Sequence, residues 1–389
     1  MKFAERVEQL PPYLFAAISR LIEEKKSQGI DVISLGIGDP DLPTPNHILE
    51  SLNKSSFAPE NHRYPESEGL PEFRKAVARW YFSRHNVDLD PSTEILSLIG
   101  SKEGIAHLPL CLIDPGDISL ITDPGYPVYE IATMFAGGSS IRLPLNEENG
   151  WMPDLNMIDK DVIEKSKILW LNYPNNPTGA VATKEFFEKA VEWAHLNDVL
   201  IAHDLAYADV TFDDYIAPSL LEIDGAKDVA IEFNSLSKTF NMTGWRIAMA
   251  VGNANVIDAL TRVKSNIDSG VPQAIQQMAI TAMDDPRDSI VEHNNIYQTR
   301  RDKVLKVLRD LGLQVNTPKA SLYIWAKLPE GELNSGDYAA QLVEQTGVVV
   351  TPGSSYGAAG EGYIRISLTI ADERLDEALL RLSKFVSTK

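Results

Sequence analysis

Along most of this chain, short apolar runs bounded by turn residues alternate with longer amphipathic segments, and that alternation leaves few folds open. A strand, a helix-period segment and a second strand form a crossover unit, so the pattern predicts an α/β sheet. Strands are expected at 95–99, 118–122, 141–145, 168–172, 199–203, 229–233 and 247–251, with helices between most of them, such as 184–196 and 254–265. After Asp285 the pattern changes to a long charged helix near 287–311 and a strand near 322–326, then strands at 348–351 and 363–368. An amphipathic helix at 371–387 closes the chain, and a first strand-like segment lies at 32–35. The reading is a large, mainly parallel seven-stranded domain over 47–285. A smaller α/β domain is built from both chain ends, 1–46 and 286–389.

Composition then removes whole classes of partner. Lys plus Arg number 36 against 55 Asp plus Glu, a net charge of −19, which repels nucleic acid and anionic lipid. Cys111 is the one cysteine, so neither an intrachain disulfide nor a cysteine metal cluster can form, and no metal is expected. Cys111 itself reads as a small core residue. The opening MKFAERVEQLPP is too polar for a secretory signal, and no stretch is apolar for long enough to span a bilayer. A cytoplasmic globular protein is the simplest expectation.

In open α/β sheets, functional groups gather where strands end. Four such places carry polar sets: Gly100-Ser-Lys-Glu-Gly104, Trp170-Leu-Asn-Tyr-Pro-Asn-Asn-Pro-Thr-Gly179, Val199-Leu-Ile-Ala-His-Asp-Leu-Ala-Tyr207, and Ile231-Glu-Phe-Asn-Ser-Leu-Ser-Lys-Thr-Phe240 with Gly244-Trp-Arg246. A lone lysine is nearly always a solvated charge. Lys238, however, has Ser235 and Ser237 before it and Arg246 after it, hydroxyls and a guanidinium that suit a phosphate monoester. A lysine beside a bound phosphate can form a Schiff base with an aldehyde, and pyridoxal phosphate (PLP) supplies both groups. Asp204 would otherwise serve as a helix cap or ion-pair partner. Opposite a pyridine nitrogen it would hold that nitrogen protonated and make the ring an electron sink. Tyr207 and Asn176 offer donors to the ring's phenolic oxygen, and the Gly100–Gly104 turn offers backbone N–H groups to an anion. The same turn is not a Walker A loop, and Gly36-Ile-Gly38 does not continue as a dinucleotide fingerprint, because Asp41 stands where the third glycine belongs. Arg365, alternating with Ile364 and Ile366 in a short strand, is suited to grip a substrate carboxylate.

Together these residues resemble the fold type I, class I/II aminotransferases over nearly the whole chain. The resemblance implies that Lys238 bonds the cofactor's aldehyde, Asp204 partners the ring nitrogen, and Asn176 and Tyr207 reach the phenolic oxygen. It places Ser101, Lys102, Ser235, Ser237 and Arg246 at the phosphate, and the aromatic of Asp123-Pro-Gly-Tyr-Pro127, Tyr126, against the ring. Arg365 would clamp the substrate α-carboxylate, helped by Asn176 and the Gly38 backbone. A homodimer with shared sites is also implied, with Tyr64 reaching the partner's phosphate.

A narrower likeness is to LL-diaminopimelate aminotransferases of lysine biosynthesis. It rests on Leu10-Pro-Pro-Tyr-Leu-Phe15, Leu35-Gly-Ile-Gly-Asp-Pro-Asp-Leu-Pro-Thr-Pro45, Gly100-Ser-Lys102 and Ser235-Leu-Ser-Lys-Thr-Phe-Asn-Met-Thr-Gly-Trp-Arg246. It implies substrate contacts from Tyr13 and Lys102. Leu205 stands where many of these enzymes carry Asn, and Ser67 stands where plant-type members carry the acid that binds the distal ammonium. Glu66 and Glu68 flank Ser67, which makes Glu68 the candidate for that ammonium. An aminotransferase for alanine, aspartate or a broad set of amino acids carries the same cofactor residues, as does a PLP lyase or decarboxylase. A PLP-binding regulator would want a DNA-binding module, and none precedes the first strand.

Overall fold

The computed structural model describes residues 1–11, 14–284, 288–331 and 333–386. Among the described residues thirteen strands are formed: β1 Ile33–Ser34, β2 Ile95–Leu98, β3 Ile118–Asp123, β4 Ser139–Pro144, β5 Ser166–Leu171, β6 Leu200–Asp204, β7 Ala230–Ser235, β8 Ala248–Gly252, β9 Gln314–Val315, β10 Tyr323–Lys327, β11 Val348–Val349, β12 Thr351–Pro352 and β13 Tyr363–Ser367. Seven of them make the central sheet in the order β2-β8-β7-β6-β5-β3-β4. The five from β4 to β7 run parallel, and β8 lies antiparallel between β7 and β2.

Parallel strands covered on both faces are mostly apolar, which is why β5 reads as the continuous run Ile168–Leu171. Within β5, Ile168 and Trp170 pack into one layer while Leu169 and Leu171 pack into the opposite one. Helices Ser101–Leu112 and Ala254–Ser265 cover the first face through Ile105, Leu108, Ile257 and Leu260. Helices Pro71–His85, Lys184–Asn197 and Gln273–Met283 cover the second through Phe73, Val77, Phe187, Val191, Met278 and Ala282.

Most expected strands shift by one or two residues at an end, and three of the changes have a plain physical reason. β4 starts at Ser139, not 141, because it is the sheet edge: its solvated face needs no apolar residue, and Arg142 sits there among mostly exposed side chains. The expected strand 348–351 divides. Val348–Val349 pairs parallel with β1, and Thr351–Pro352 pairs antiparallel with β13, so the chain changes sheets at Val350. The last helix ends at Leu382 instead of running on to 387, because the chain turns back to seat Phe385 against Tyr338, ring centroids 5.3 Å apart. Residue 387 and Arg287, the expected start of helix Asp288–Asp310, lie outside the described residues. Cys111 is only half-buried, on the helix Ser101–Leu112, and burial pushes its thiol up to about 11.

Both chain ends share the second core. β1 pairs with β11, Leu35 bonds Val349 and Ser367 through its backbone, and the sheet β12-β13-β10-β9 packs on helices Asp288–Asp310 and Asp372–Leu382. The boundary expected at 285/286 falls outside the described residues. Among the described residues, no helix is long and apolar enough to cross a membrane.

Candidate active site

The carboxyl ends of β3, β5, β6 and β7 converge on a cavity of about 240 Å³ lined by Gly38, Ser101, Lys102, Tyr126, Asn176, Asp204, Tyr207 and Lys238, all expected from sequence. Asn172, Tyr323 and the apolar Ile37, Ile105 and Ala206 complete its wall. Asp204 ends β6 and is buried. Its Oδ2 accepts a hydrogen bond from Tyr129 Oη at 2.8 Å, whereas Oδ1 has no hydrogen-bond partner. Burial raises its carboxyl to about 6, against the opposing pull of the Tyr129 hydrogen bond, the His203 charge and the Ala206 N–H. An orphaned carboxylate oxygen at the floor of a cavity is expensive unless a ligand donor completes it.

Lys238 lies in the single helical turn Leu236–Thr239 that follows β7. Ser235 caps this turn, its Oγ accepting from Ser237 N at 3.2 Å, and both serines are buried. Lys238 Nζ donates to Gly38 O at 3.0 Å, and burial pulls its ammonium below the ordinary lysine value. Tyr207 Oη donates to Tyr323 Oη at 3.1 Å, and burial, then Tyr323, raises its phenol well above the usual tyrosine value.

Helix Ser101–Leu112 points its N-terminus at the cavity from Gly100, whose φ of 76° lies in the left-handed region. A Cβ there would sit 2.0 Å from Arg246 Nη2. Glycine thus lets the guanidinium close on the helix N-terminus, a corner suited to an anion. Arg246 stands at this corner, and neither it nor Ser235 nor Ser237 lines the cavity wall. Arg365 is fully buried, with Nη1 on Asn176 Oδ1 at 2.8 Å and Nη2 on Gly36 O at 2.7 Å. Its guanidinium carbon lies 3.9 Å from the Tyr323 ring centre. The backbone carbonyl that Arg365 holds is therefore that of Gly36, while Gly38 is held by Lys238.

Two expected residues are elsewhere. Tyr64 is 87% exposed, and Glu68, also exposed, meets its own chain through a backbone carbonyl that accepts from Ser97 N at 3.0 Å. Neither lines the cavity, and Tyr13 lies outside the described residues. Three residues were not anticipated. Tyr129, in the first turn of helix Val128–Phe135, comes three residues after Tyr126 and meets it edge to face at 5.7 Å. Asn172 lies inside the quoted strand-end segment and ties it to β6, with Nδ2 on Asp204 O at 2.7 Å and Oδ1 on Asn176 N at 2.7 Å. Tyr323 alternates with Trp325 on β10 and gave no signal beyond that period. A cluster of Glu103, His107 and Asp268 has ligand-like spacing, but Lys264 Nζ fills it at 3.1 Å from Glu103 and 2.8 Å from Asp268.

Residues 30–382 match the family described as aminotransferase class I and II. The chain belongs to that family. Over 387 residues and the full length of both chains, this aminotransferase is 56% identical to an LL-diaminopimelate aminotransferase of Dehalococcoides mccartyi. Substrate-bound BacF from Bacillus subtilis superposes with a TM-score of 0.95 at 37% identity, covering 99% of this chain and 98% of that one. A variant of Thermus thermophilus aspartate aminotransferase gives 0.91 at 28% identity, covering 99% of each chain.

The family is PLP-dependent, and this aminotransferase fits the group: an unpartnered buried carboxylate oxygen faces the cavity, a lysine sits across it, and an anion corner closes one end. Room at Gly38 is part of the fit. A Cβ at Gly38 would lie 2.0 Å from Tyr323 Oη and 2.4 Å from the ring. Gly38→Ala is therefore expected to displace Tyr323, costing about 1–3 kcal/mol of stability by overpacking and at least tenfold in kcat/KM. Denaturant unfolding and steady-state kinetics check both.

Proposed function

We propose that this aminotransferase moves the amino group of LL-2,6-diaminopimelate to 2-oxoglutarate, giving (S)-2,3,4,5-tetrahydrodipicolinate, L-glutamate and water in lysine biosynthesis. The observation that carries the substrate is the 56% identity, end to end, with a protein of that activity. When bound, PLP supplies an aldehyde that bonds amines and a ring that takes up electrons released at the substrate Cα. The chain's residues do the rest. Asp204 holds a proton on the ring nitrogen, and Tyr207 and Asn176 donate toward the phenolic oxygen. Tyr126 packs on the ring. The N–H groups at Ser101 and Lys102, with Ser235, Ser237 and Arg246, hold the phosphate. Arg365 grips the α-carboxylate with the help of Asn176 and Gly38, and the buried Lys238 Nζ, poised to lose its proton, takes one from Cα.

The working unit in this reading is a cytoplasmic homodimer with a large domain over 47–285 and a small domain from 1–46 and 286–389. Exposure of Tyr64, Glu66 and Glu68 supports a segment that crosses to the partner, where Tyr64 meets the phosphate and Glu68 the distal ammonium. Tyr13 and Lys102 complete the distal pocket.

A substrate panel read out as glutamate formation tests this directly. LL-diaminopimelate is expected to react with 2-oxoglutarate at least tenfold more efficiently than alanine or aspartate. Tenfold is about 1.4 kcal/mol, within reach of one charged contact. Glu68→Gln is expected to weaken LL-diaminopimelate turnover more than glutamate turnover. Efficient alanine transamination without LL-diaminopimelate activity defeats the substrate assignment.

A further inference from the structure

Behind Asp204, on the opposite face of β6, His203 is fully buried. Its Nε2 lies 3.1 Å from the carbonyl oxygen of Tyr173, a group that can only accept, so Nε2 carries a proton. Its Nδ1 lies 2.9 Å from Oε2 of Glu232, its register partner on β7. Glu232 is also fully buried, and its oxygens accept from Tyr81 Oη at 2.9 Å, Ser219 Oγ at 2.9 and 3.1 Å, and Leu220 N at 3.0 Å. Tyr81, Ser219 and the Leu220 N–H thus supply three donors to its two oxygens before the imidazole is counted, the setting of an ionised carboxylate. Facing an ionised carboxylate, Nδ1 must donate as well. Both ring nitrogens then carry protons, and His203 is an imidazolium.

An ion pair sealed between apolar layers adds little stability over an apolar pair of the same shape, so its position invites another use. That position is one residue from the carboxylate assigned to the ring nitrogen. Tyr129, from helix Val128–Phe135, and Tyr207 also face Asp204, Tyr126, Lys102 and Lys238 line the same cavity, and its partner on β7 is Phe233. Around the pair itself lie Tyr81 and, beyond Ser219, Glu222 with His85. Of these positive charges, that of His203 is the one that opposes burial at the Asp204 carboxyl.

We infer that His203, locked by Glu232, is a positioning residue whose fixed positive charge keeps Asp204 ionised in the dry floor of the site. The inference rests on the role given to Asp204 above. It is tested first without cofactor. In the cofactor-free protein, carboxyl NMR, assigned with Asp204→Asn, follows the Asp204 titration in wild type, His203→Gln and the double variant His203→Gln, Glu232→Gln. Glutamine keeps a donor for Tyr173 O and removes the charge. The titration midpoint is expected to rise by about one unit, tenfold in ionisation constant, in His203→Gln, and by less in the double variant. In the loaded enzyme, the acid limb of the kcat/KM profile is expected to move in the same direction. Ring-nitrogen NMR of the wild-type protein needs no variant to fold: protons on both His203 nitrogens are expected near neutral pH. One unprotonated nitrogen there, or an unmoved Asp204 midpoint in folded variants, overturns the inference. Should Asp204→Asn keep normal turnover while the midpoint still moves, the catalytic role of Asp204 fails and the electrostatic coupling stands.

Discussion

Asp204→Asn is expected to cut kcat/KM by about a thousandfold or more while making the cofactor-free protein more stable near pH 8. The loss follows from the electron sink. With Asp204 the ring nitrogen keeps its proton as charge leaves the substrate Cα, and such charge stabilisation is worth on the order of several kcal/mol. Asparagine can still accept from Tyr129 at the site of the present 2.8 Å hydrogen bond, but it carries no charge. The gain follows from burial. The Asp204 carboxyl is raised from 3.8 to about 6, so the folded chain favours the protonated form more than the unfolded chain does. That preference is fully present below about pH 4 and is lost as pH rises through about 6, leaving a deficit of about 3 kcal/mol at higher pH. Asparagine has no deficit to lose. Wild type and variant should therefore unfold at similar denaturant concentrations near pH 4 and diverge above pH 6, with the variant ahead. Near-normal turnover in the variant removes the electronic role of Asp204.

Lys238→Ala is expected to lose nearly all turnover, on the order of a 10⁴-fold fall in kcat, because the group that takes the Cα proton is gone. PLP should nevertheless remain with the protein. The anion corner formed by Gly100, Ser101 and Arg246 does not involve the lysine, and neither does the unpartnered Oδ1 of Asp204. Absorbance after exhaustive dialysis, compared with single-turnover kinetics, separates retained cofactor from retained catalysis. A variant that keeps substantial turnover places the proton transfer on another residue.

The strand ends carrying Asp204, Lys238 and the Asn172–Gly179 segment were legible because a parallel sheet obliges apolar runs to stop where function begins, and the stops carry polar sets. The order of strands was less legible. β8 looks like its neighbours in composition, and its antiparallel course follows from the short β7–β8 connection, which leaves no room for a crossover helix. At the edge, β4 is marked poorly because a solvated strand need not be apolar. Within the site, legible residues were those whose chemistry is unusual in its setting, such as a lysine between serines. Tyr129, Tyr323 and Asn172 read as ordinary core or loop residues, since their roles arise from contacts that the sequence spacing does not encode. Tyr129 is the partial exception, because it follows Tyr126 by only three residues and packs against it. Tyr323 reaches Gly38 and Tyr207, a meeting of residues 38, 207 and 323 that only the folded topology creates. The Glu232–His203 pair was hidden for the same reason: it depends on strand register, where a slip of one residue would break it.

The central claim is that the cavity at the strand ends holds PLP bonded to Lys238. Borohydride reduction of the PLP-loaded protein, followed by proteolysis and mass mapping, tests it most directly. The account predicts one pyridoxyl group per chain, on the peptide containing Ser235-Leu-Ser-Lys238. A label on any other lysine, or none, contradicts it.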